Sequence, residues 1–244
     1  MATIALQGVG KTYPGKESHY ILRGVDFTIE DGEFVVLVGP SGCGKSTLMK
    51  IISGFEQPDE GQVRIDGKPH SRPSPKGIVI SQHGSVFPWL TVQENLMFGL
   101  NGDGHGDKAE LADHYAAMVG LKGFENAYPR ELSGGMIKRV ELARALVVKP
   151  EILYMDEPFS ALDALMNLRM RTELLRILEE ERHTVILITH DVEEAIYLAD
   201  RIMVLSPRPT TIQATFAVTQ PHPRKLSSPD LQQLKDDILA QLGL

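Results

Sequence analysis

The segment Gly39–Thr47, GPSGCGKST, sets glycine, lysine and hydroxyl residues at the spacing G-x-x-x-x-G-K-[ST]. A triphosphate has many oxygens that need hydrogen-bond donors close together. Gly39, Gly42 and Gly44 let backbone N–H groups approach and point inward, and a helix starting after the loop adds its positive end. Lys45 at this position reaches the β- and γ-phosphates, and Ser46 offers its hydroxyl to Mg²⁺. Pro40, Ser41, Cys43 and Thr47 complete the loop. Helix N-termini lower thiol pKa values, but Cys43 reads more simply as a small residue that fits. The expectation is a bound nucleoside triphosphate with Mg²⁺.

A second group follows an apolar run. ILYMDEP places Asp156 and Glu157 at the end of a strand pattern, where carboxylates face ligands in open α/β sheets. Asp156 is suited to hold hydrated Mg²⁺ and Glu157 to polarise an attacking water, one carboxylate neutralised by metal and one free to accept a proton. Alone, the pair would read as a solvated acidic turn. Beside a phosphate loop it reads as hydrolytic chemistry.

The elements that must position these residues are visible as apolar runs. IALQGV, YILRGV and DFTIE alternate and predict strands split by glycine-containing turns. FVVLV (34–38) predicts a strand buried on both faces, and TLMKIISG a helix ending at Gly54. Further strands are expected at 61–67, 78–80, 152–155, 184–189 and 201–205, with helices at 164–182 and 191–199. Residues 88–146 are mainly helical, broken by the loop GDGHGD (102–107). The alternation implies a mostly parallel α/β core. After Ser206 come five prolines, then Leu231, Leu234, Ile238, Leu239 and Leu242 at helical spacing. A strand or two and a terminal amphipathic helix are expected there.

Gln82, LSGGM (132–136), SALD (160–163), TH (189–190) and Tyr13 in KTYPG, in this order around the loop, resemble the nucleotide-binding subunits of ATP-binding cassette transporters. The resemblance spans nearly the whole chain, and LSGG is its most discriminating element. It implies an α/β P-loop NTPase (RecA-like) core, about 1–87 and 150–205, with N-terminal antiparallel β strands. An inserted α-helical subdomain (about 88–149) and a short C-terminal extension (about 206–244) complete the single domain. It implies that Tyr13 stacks on the adenine of ATP and that Gln82 reaches Mg²⁺ and the attacking water. Leu132, Ser133, Gly134, Gly135 and Met136 would close on ATP held by the opposite subunit. Ser160 and Asp163 would lie in a loop crossing the dimer interface, and His190 would contact the γ-phosphate. Ser133 also reads as a helix N-cap, which is compatible with phosphate binding. Met136, Ile137, Lys138 and His83 depart from the commoner pattern, and His83 bears on the partner contact rather than on hydrolysis.

The 244 residues suit one large domain or two small ones. A net charge of -7 argues against a nucleic-acid partner. The single cysteine permits no internal disulfide. The N-terminus lacks the pattern of a secretory signal, and no run approaches the roughly 20 apolar residues that span a bilayer. A soluble, cytoplasmic chain is expected, and any membrane work needs another chain. The resemblance supplies that chain: transmembrane permease subunits, a second cassette subunit and a substrate-binding protein, with this subunit peripheral on the cytoplasmic face of the inner membrane. VFPWLTVQENL (86–96) reads either as core packing of Trp89 or as a groove for a partner helix. PWLTV, LSGGM and SPRP (206–209) resemble importers of the nitrate, sulfonate, taurine and bicarbonate type. A soluble cassette ATPase of translation or repair, or a small-molecule kinase, are the alternatives. The first usually carries paired cassettes or long coiled-coil insertions, and the second would lack LSGGM.

Overall fold

The structure, a computed structural model, describes residues 2–13, 19–81, 86–100, 107–160 and 163–244. It forms two compact units: Met1–Gly77, Glu151–Asp156 and Arg182–Leu244 in one, Ile78–Pro150 and Glu157–Glu181 in the other.

The first unit holds two sheets. Strands β1 (Ile4–Tyr13), β2 (His19–Ile29), β4 (Glu60–Ile65) and β5 (Lys68–Pro69) form an antiparallel sheet in the order β2-β1-β4-β5. Strands β3 (Phe34–Val38), β7 (Ile152–Asp156), β8 (Thr184–Thr189), β9 (Arg201–Leu205) and β10 (Ile212–Ala217) run in the order β10-β9-β3-β8-β7. In this second sheet β9, β3, β8 and β7 are parallel, and β10 pairs antiparallel with β9. Every residue of β3 and β8 is buried, as expected of strands covered on both faces. The chain leaves this unit along β6 (Gly77–Ile80).

The N-terminal strands differ from the sequence expectation in one respect. YILRGV and DFTIE are one continuous strand, not two. Gly24, at φ +58°, sits where the β1–β2 register shifts, and Gly8, at φ +62°, lies within a second shift, between Leu6 and Val9. Asp26 accepts a hydrogen bond from the Gly8 N–H at 2.7 Å. Here glycine marks a bulge that bends a strand rather than a turn that ends it.

Helix α1 (Lys45–Ile52) follows β3, and α6 (Val192–Leu198) follows β8. The second unit contains α2 (Val92–Met97), α3 (Lys108–Met118), α4 (Gly134–Leu146) and α5 (Ala164–Glu180). Side chains start each of these: Thr91 and Glu94 make a capping box for α2, Asp107 caps α3, Ser133 caps α4 and Asp163 caps α5. Among the described residues no helix is long and apolar enough to cross a membrane.

The terminal helix α7 (Pro229–Leu242) returns to the first unit, burying Leu231 and Ile238. Before it, Arg224 is buried with its guanidinium on main-chain carbonyls. It donates to Gln220 O at 2.8 Å, Ile196 O at 2.9 Å, Ala199 O at 2.6 Å and Val218 O at 3.1 Å. Burial lowers its pKa, yet a guanidinium remains charged and complements the C-terminal end of α6. We expect Arg224→Ala to strand these carbonyls and cost about 3 kcal/mol, read from urea unfolding. Arg224→Lys, lacking the planar fork, should recover little of that loss.

Candidate nucleotide site

Three parallel strands of the first unit end side by side. In register, Val38 of β3 pairs with Thr189 of β8, and Asp156 of β7 pairs with Ile188 of β8. Adjacent strands lie about 4.8 Å apart. The loop from Gly39, the turn carrying His190 and the carboxylate of Asp156 therefore leave the sheet at one edge. This is the carboxyl edge, where open α/β sheets bind ligands.

The phosphate loop is shaped by close backbone packing. Gly44, at φ +126°, begins α1, and a Cβ there would meet Ile21 Cγ2 at 2.8 Å. A Cβ at Gly39 would come within 3.0 Å of Leu205 Cβ. Gly42, at φ +72°, has open space around it. No side chain caps α1, and its first turn carries no acid, so its N–H groups stay available to an anion. Lys45 is buried, and its ammonium donates to Gly39 O at 2.7 Å and Pro40 O at 3.0 Å. Ser46 is exposed on the first turn. Cys43 is buried, in keeping with a residue chosen for fit. A polyanion fits this cradle: α1 starts without a side-chain cap, a cation is at hand, and side-chain bulk is excluded at Gly39 and Gly44.

His190 is exposed one residue past β8. Its turn is held on both sides. The Thr189 hydroxyl donates to Glu194 Oε2 at 2.6 Å and accepts from the Asp191 N–H at 3.0 Å. Asp191 caps α6 by accepting from the N–H groups of Glu193 and Glu194. Tyr13 ends β1 with its ring partly exposed, its hydroxyl donating to Glu56 at 2.5 Å. Burial first, then this carboxylate, raises its pKa. Asp59 fixes the same strand end, accepting from the Thr12 N–H at 2.7 Å and hydroxyl at 2.8 Å, and from Lys11 Nζ at 3.0 Å.

In the second unit, Glu157 follows Asp156 with a left-handed backbone, φ +49°. Such a conformation in a residue other than glycine is uncommon and strained. Its carbonyl accepts from the Ser160 hydroxyl at 3.0 Å. Ser133 accepts from the Met136 N–H at 3.3 Å, and Asp163 accepts from the Met166 N–H at 2.9 Å. Ser133, Gly134, Ser160 and Asp163 are exposed, with Leu132, Gly135 and Met136 partly so. Gln82 and His83, Ala161 and Leu162 within SALD, and Pro14 and Gly15 within KTYPG lie outside the described residues, as does most of GDGHGD.

Residues 22–160 match a family model described as ABC transporter. The chain belongs to that family. It is 42% identical over 241 residues to the aliphatic sulfonates import ATP-binding protein SsuB of Bacillus cereus (strain ATCC 10987 / NRS 248), covering 98% of this chain and 95% of that protein. It is 48% identical over 202 residues to a putative ATP-binding protein of Brucella abortus biovar 1, covering 82% of this chain and 78% of the other. The fold matches the ATP-binding cassette MJ0796, solved as a dimer in a post-hydrolysis state with ADP and Pi, at a TM-score of 0.78 and 33% identity over 89% of this chain and 99% of that one. This ABC cassette is therefore an ATPase subunit with a P-loop NTPase fold, as its motifs predict.

Sequence reasoning did not single out Asp59 or Asp191, and it named Thr189 only within the motif TH without a role; these residues hold the strand end and the turn. Thr189 and Asp191 flank His190, and hydroxyl and carboxylate groups beside a helix start are a legible signal. Asp59 carries no such signal, because its partners are 47 residues away. The Thr12 N–H, then its hydroxyl, then Lys11 hold the Asp59 carboxyl down to about 2. A folded pKa below the ordinary carboxylate value gives stabilisation that is full above that value and lost as the pH falls through about 2. We expect a carboxyl titration by NMR to place Asp59 near 2, with the Thr12 amide shift following the same midpoint.

Proposed function

We propose that this ATPase subunit powers an importer for a small anion, aliphatic sulfonates first among nitrate, bicarbonate, taurine and other sulfonates. The observation that supports this most strongly is the SsuB likeness, which extends over nearly the full length of both chains. Two subunits sandwich two ATP molecules. In each site the loop Gly39–Thr47, Lys45, Tyr13, Gln82, Glu157 and His190 belong to one subunit. Leu132 to Met136 belong to the other, with Ser160 and Asp163 at the interface. The solved dimer of the similar cassette MJ0796 supports a paired arrangement.

The donor set fits Mg²⁺. This cation prefers oxygen ligands and is usually held by one or two carboxylates together with substrate phosphates. The Ser46 hydroxyl and Asp156 carboxylate are such oxygens, with Gln82 a third, and the ion would neutralise charge between the β- and γ-phosphates. Glu157 orients and deprotonates the water, and His190 donates to the γ-phosphate. Backbone N–H groups and Lys45 meet the charge that develops on the transferring group.

Transmembrane permease subunits receive the motion, with a substrate-binding protein in the assembled importer and this chain peripheral on the cytoplasmic face. The second unit offers a surface for that contact. Trp89 is 69% exposed, so it is not core packing. Phe87 stacks against Trp89 at 5.5 Å and Phe98 at 4.4 Å, and Arg144 lies over the Phe87 ring. Buried Asn95 braces this turn through four main-chain hydrogen bonds, to Phe87 N, Phe87 O, Leu90 O and Thr91 O.

Glu157→Gln should keep ATP affinity and lower turnover by about 10² to 10⁴-fold in a phosphate-release assay. Parental turnover would remove Glu157 as the base. Lys45→Ala and Ser133→Glu subunits should each be inactive alone yet regain hydrolysis when mixed, because one intact composite site then forms. Reconstitution with the permease and binding protein should give ATPase stimulation by an alkanesulfonate. Stimulation by nitrate or bicarbonate alone would move the substrate assignment.

A further inference from the structure

The tail beyond β9 reaches back to the phosphate loop through one residue, Thr210. It is fully buried. Its N–H donates to Ile21 O at 2.9 Å, and its carbonyl accepts from the Arg23 N–H at 3.1 Å, so it is bridged to β2 on both sides. Its hydroxyl donates to the carbonyl of Cys43 inside the loop. The segment is closed on itself: Ser206 N–H donates to Thr211 O at 3.1 Å, and Ser206 Oγ accepts from the Thr211 N–H at 3.0 Å. The flanking glycines pack on the same elements, Gly39 against Leu205 and Gly44 against Ile21 and Leu22.

The peptide joining Cys43 to Gly44 is planar and trans, so its C=O and N–H point in opposite directions. Tying the Cys43 carbonyl to Thr210 therefore turns the Gly44 N–H toward the other side of the loop. Gly44 is the residue from which α1 begins, and its lack of a Cβ leaves this peptide freer to rotate about φ than any other residue would, unless something holds it. We propose that Thr210 is a positioning residue for the nucleotide's phosphates: its hydroxyl fixes the Cys43–Gly44 peptide plane and so aims a loop N–H at the phosphate chain. This rests on the loop being the ATP site. Thr210 touches no reacting atom and acts through the main chain of the loop.

The test compares Thr210→Val, which replaces the hydroxyl by a methyl of the same shape, with Thr210→Ser, which keeps the hydroxyl. Calorimetry measures ATP and inorganic tripolyphosphate, the second reporting the phosphate cradle without adenine. The expected result is that Thr210→Val weakens both ligands by about tenfold, the scale of one lost buried hydrogen bond, while Thr210→Ser binds both within about twofold of the parent. Tyr13→Ala should weaken ATP and leave tripolyphosphate unchanged. The melting temperature without ligand separates aiming from support: a folded Thr210→Val chain that binds both ligands like the parent overturns the proposal. A tenfold loss in Thr210→Ser also overturns it, and that arm needs no folded valine variant. A parent chain that binds neither ligand would refute the loop assignment itself.

Discussion

Parallel registration of β3, β8 and β7 is the constraint from which the candidate nucleotide site follows. Val38 beside Thr189 and Asp156 beside Ile188 mean that three strands stop at one level. Strands buried on both faces cannot carry charge along their length without paying heavily for desolvation. Polar chemistry is thus confined to the strand ends, and the shared register gathers those ends at a single edge. A slip by one residue between β7 and β8 would move Asp156 by about 3.3 Å and turn it to the opposite face.

Each group at that edge is held by a different local device. The Lys45 ammonium rests on two loop carbonyls. A phosphate oxygen is the stronger acceptor, since its negative charge adds Coulomb attraction that a neutral carbonyl lacks, so in the proposed site the lysine would gain by exchanging one for the other. The His190 turn is pinned by Thr189 and Asp191, which draw on the first N–H groups of α6. In the second unit, Glu157 holds a left-handed backbone, a region that costs roughly 1–3 kcal/mol for a residue other than glycine.

The loop, the buried strands and α1 were legible because their signals are local: fixed spacing, apolar runs and a strand-loop-helix context. β2 was misdivided at Gly24 because a bulge and a turn share the same residue preference, and only the strand partner distinguishes them. The exposure of Trp89 could not be read from an aromatic-rich run, since both a core and an interface favour such residues. The contacts of Thr210 and Arg224 left no trace at all. Thr210 meets Cys43 across 167 residues, and Arg224 meets Ala199 across 25. Nothing in SPRPTT or HPRK distinguishes a buried anchor from a solvated tail. The left-handed backbone of Glu157 was equally silent, because glutamate has no preference for it.

The start of α1 differs from those of the five helices that follow it; α7 too lacks a side-chain cap, but it opens on Pro229, which has no N–H to satisfy. Side chains cap α2, α3, α4, α5 and α6. Helix α1 begins at Gly44 with no side-chain cap, forgoing roughly a few tenths of a kcal/mol by which serine or aspartate exceeds glycine at such a position. A capping side chain would occupy the N–H groups that a phosphate must reach. In the proposed site the bound phosphate would supply that stabilisation, coupling nucleotide binding to the order of α1. Helix α4 shows the intermediate case. Ser133 caps it through a single bond of 3.3 Å while remaining exposed, and glycine follows at both of the next two positions. A weakly engaged hydroxyl and side-chain-free N–H groups suit the proposed role of this helix start, meeting phosphate that a second subunit presents, whereas α1 is proposed to hold phosphate within its own chain.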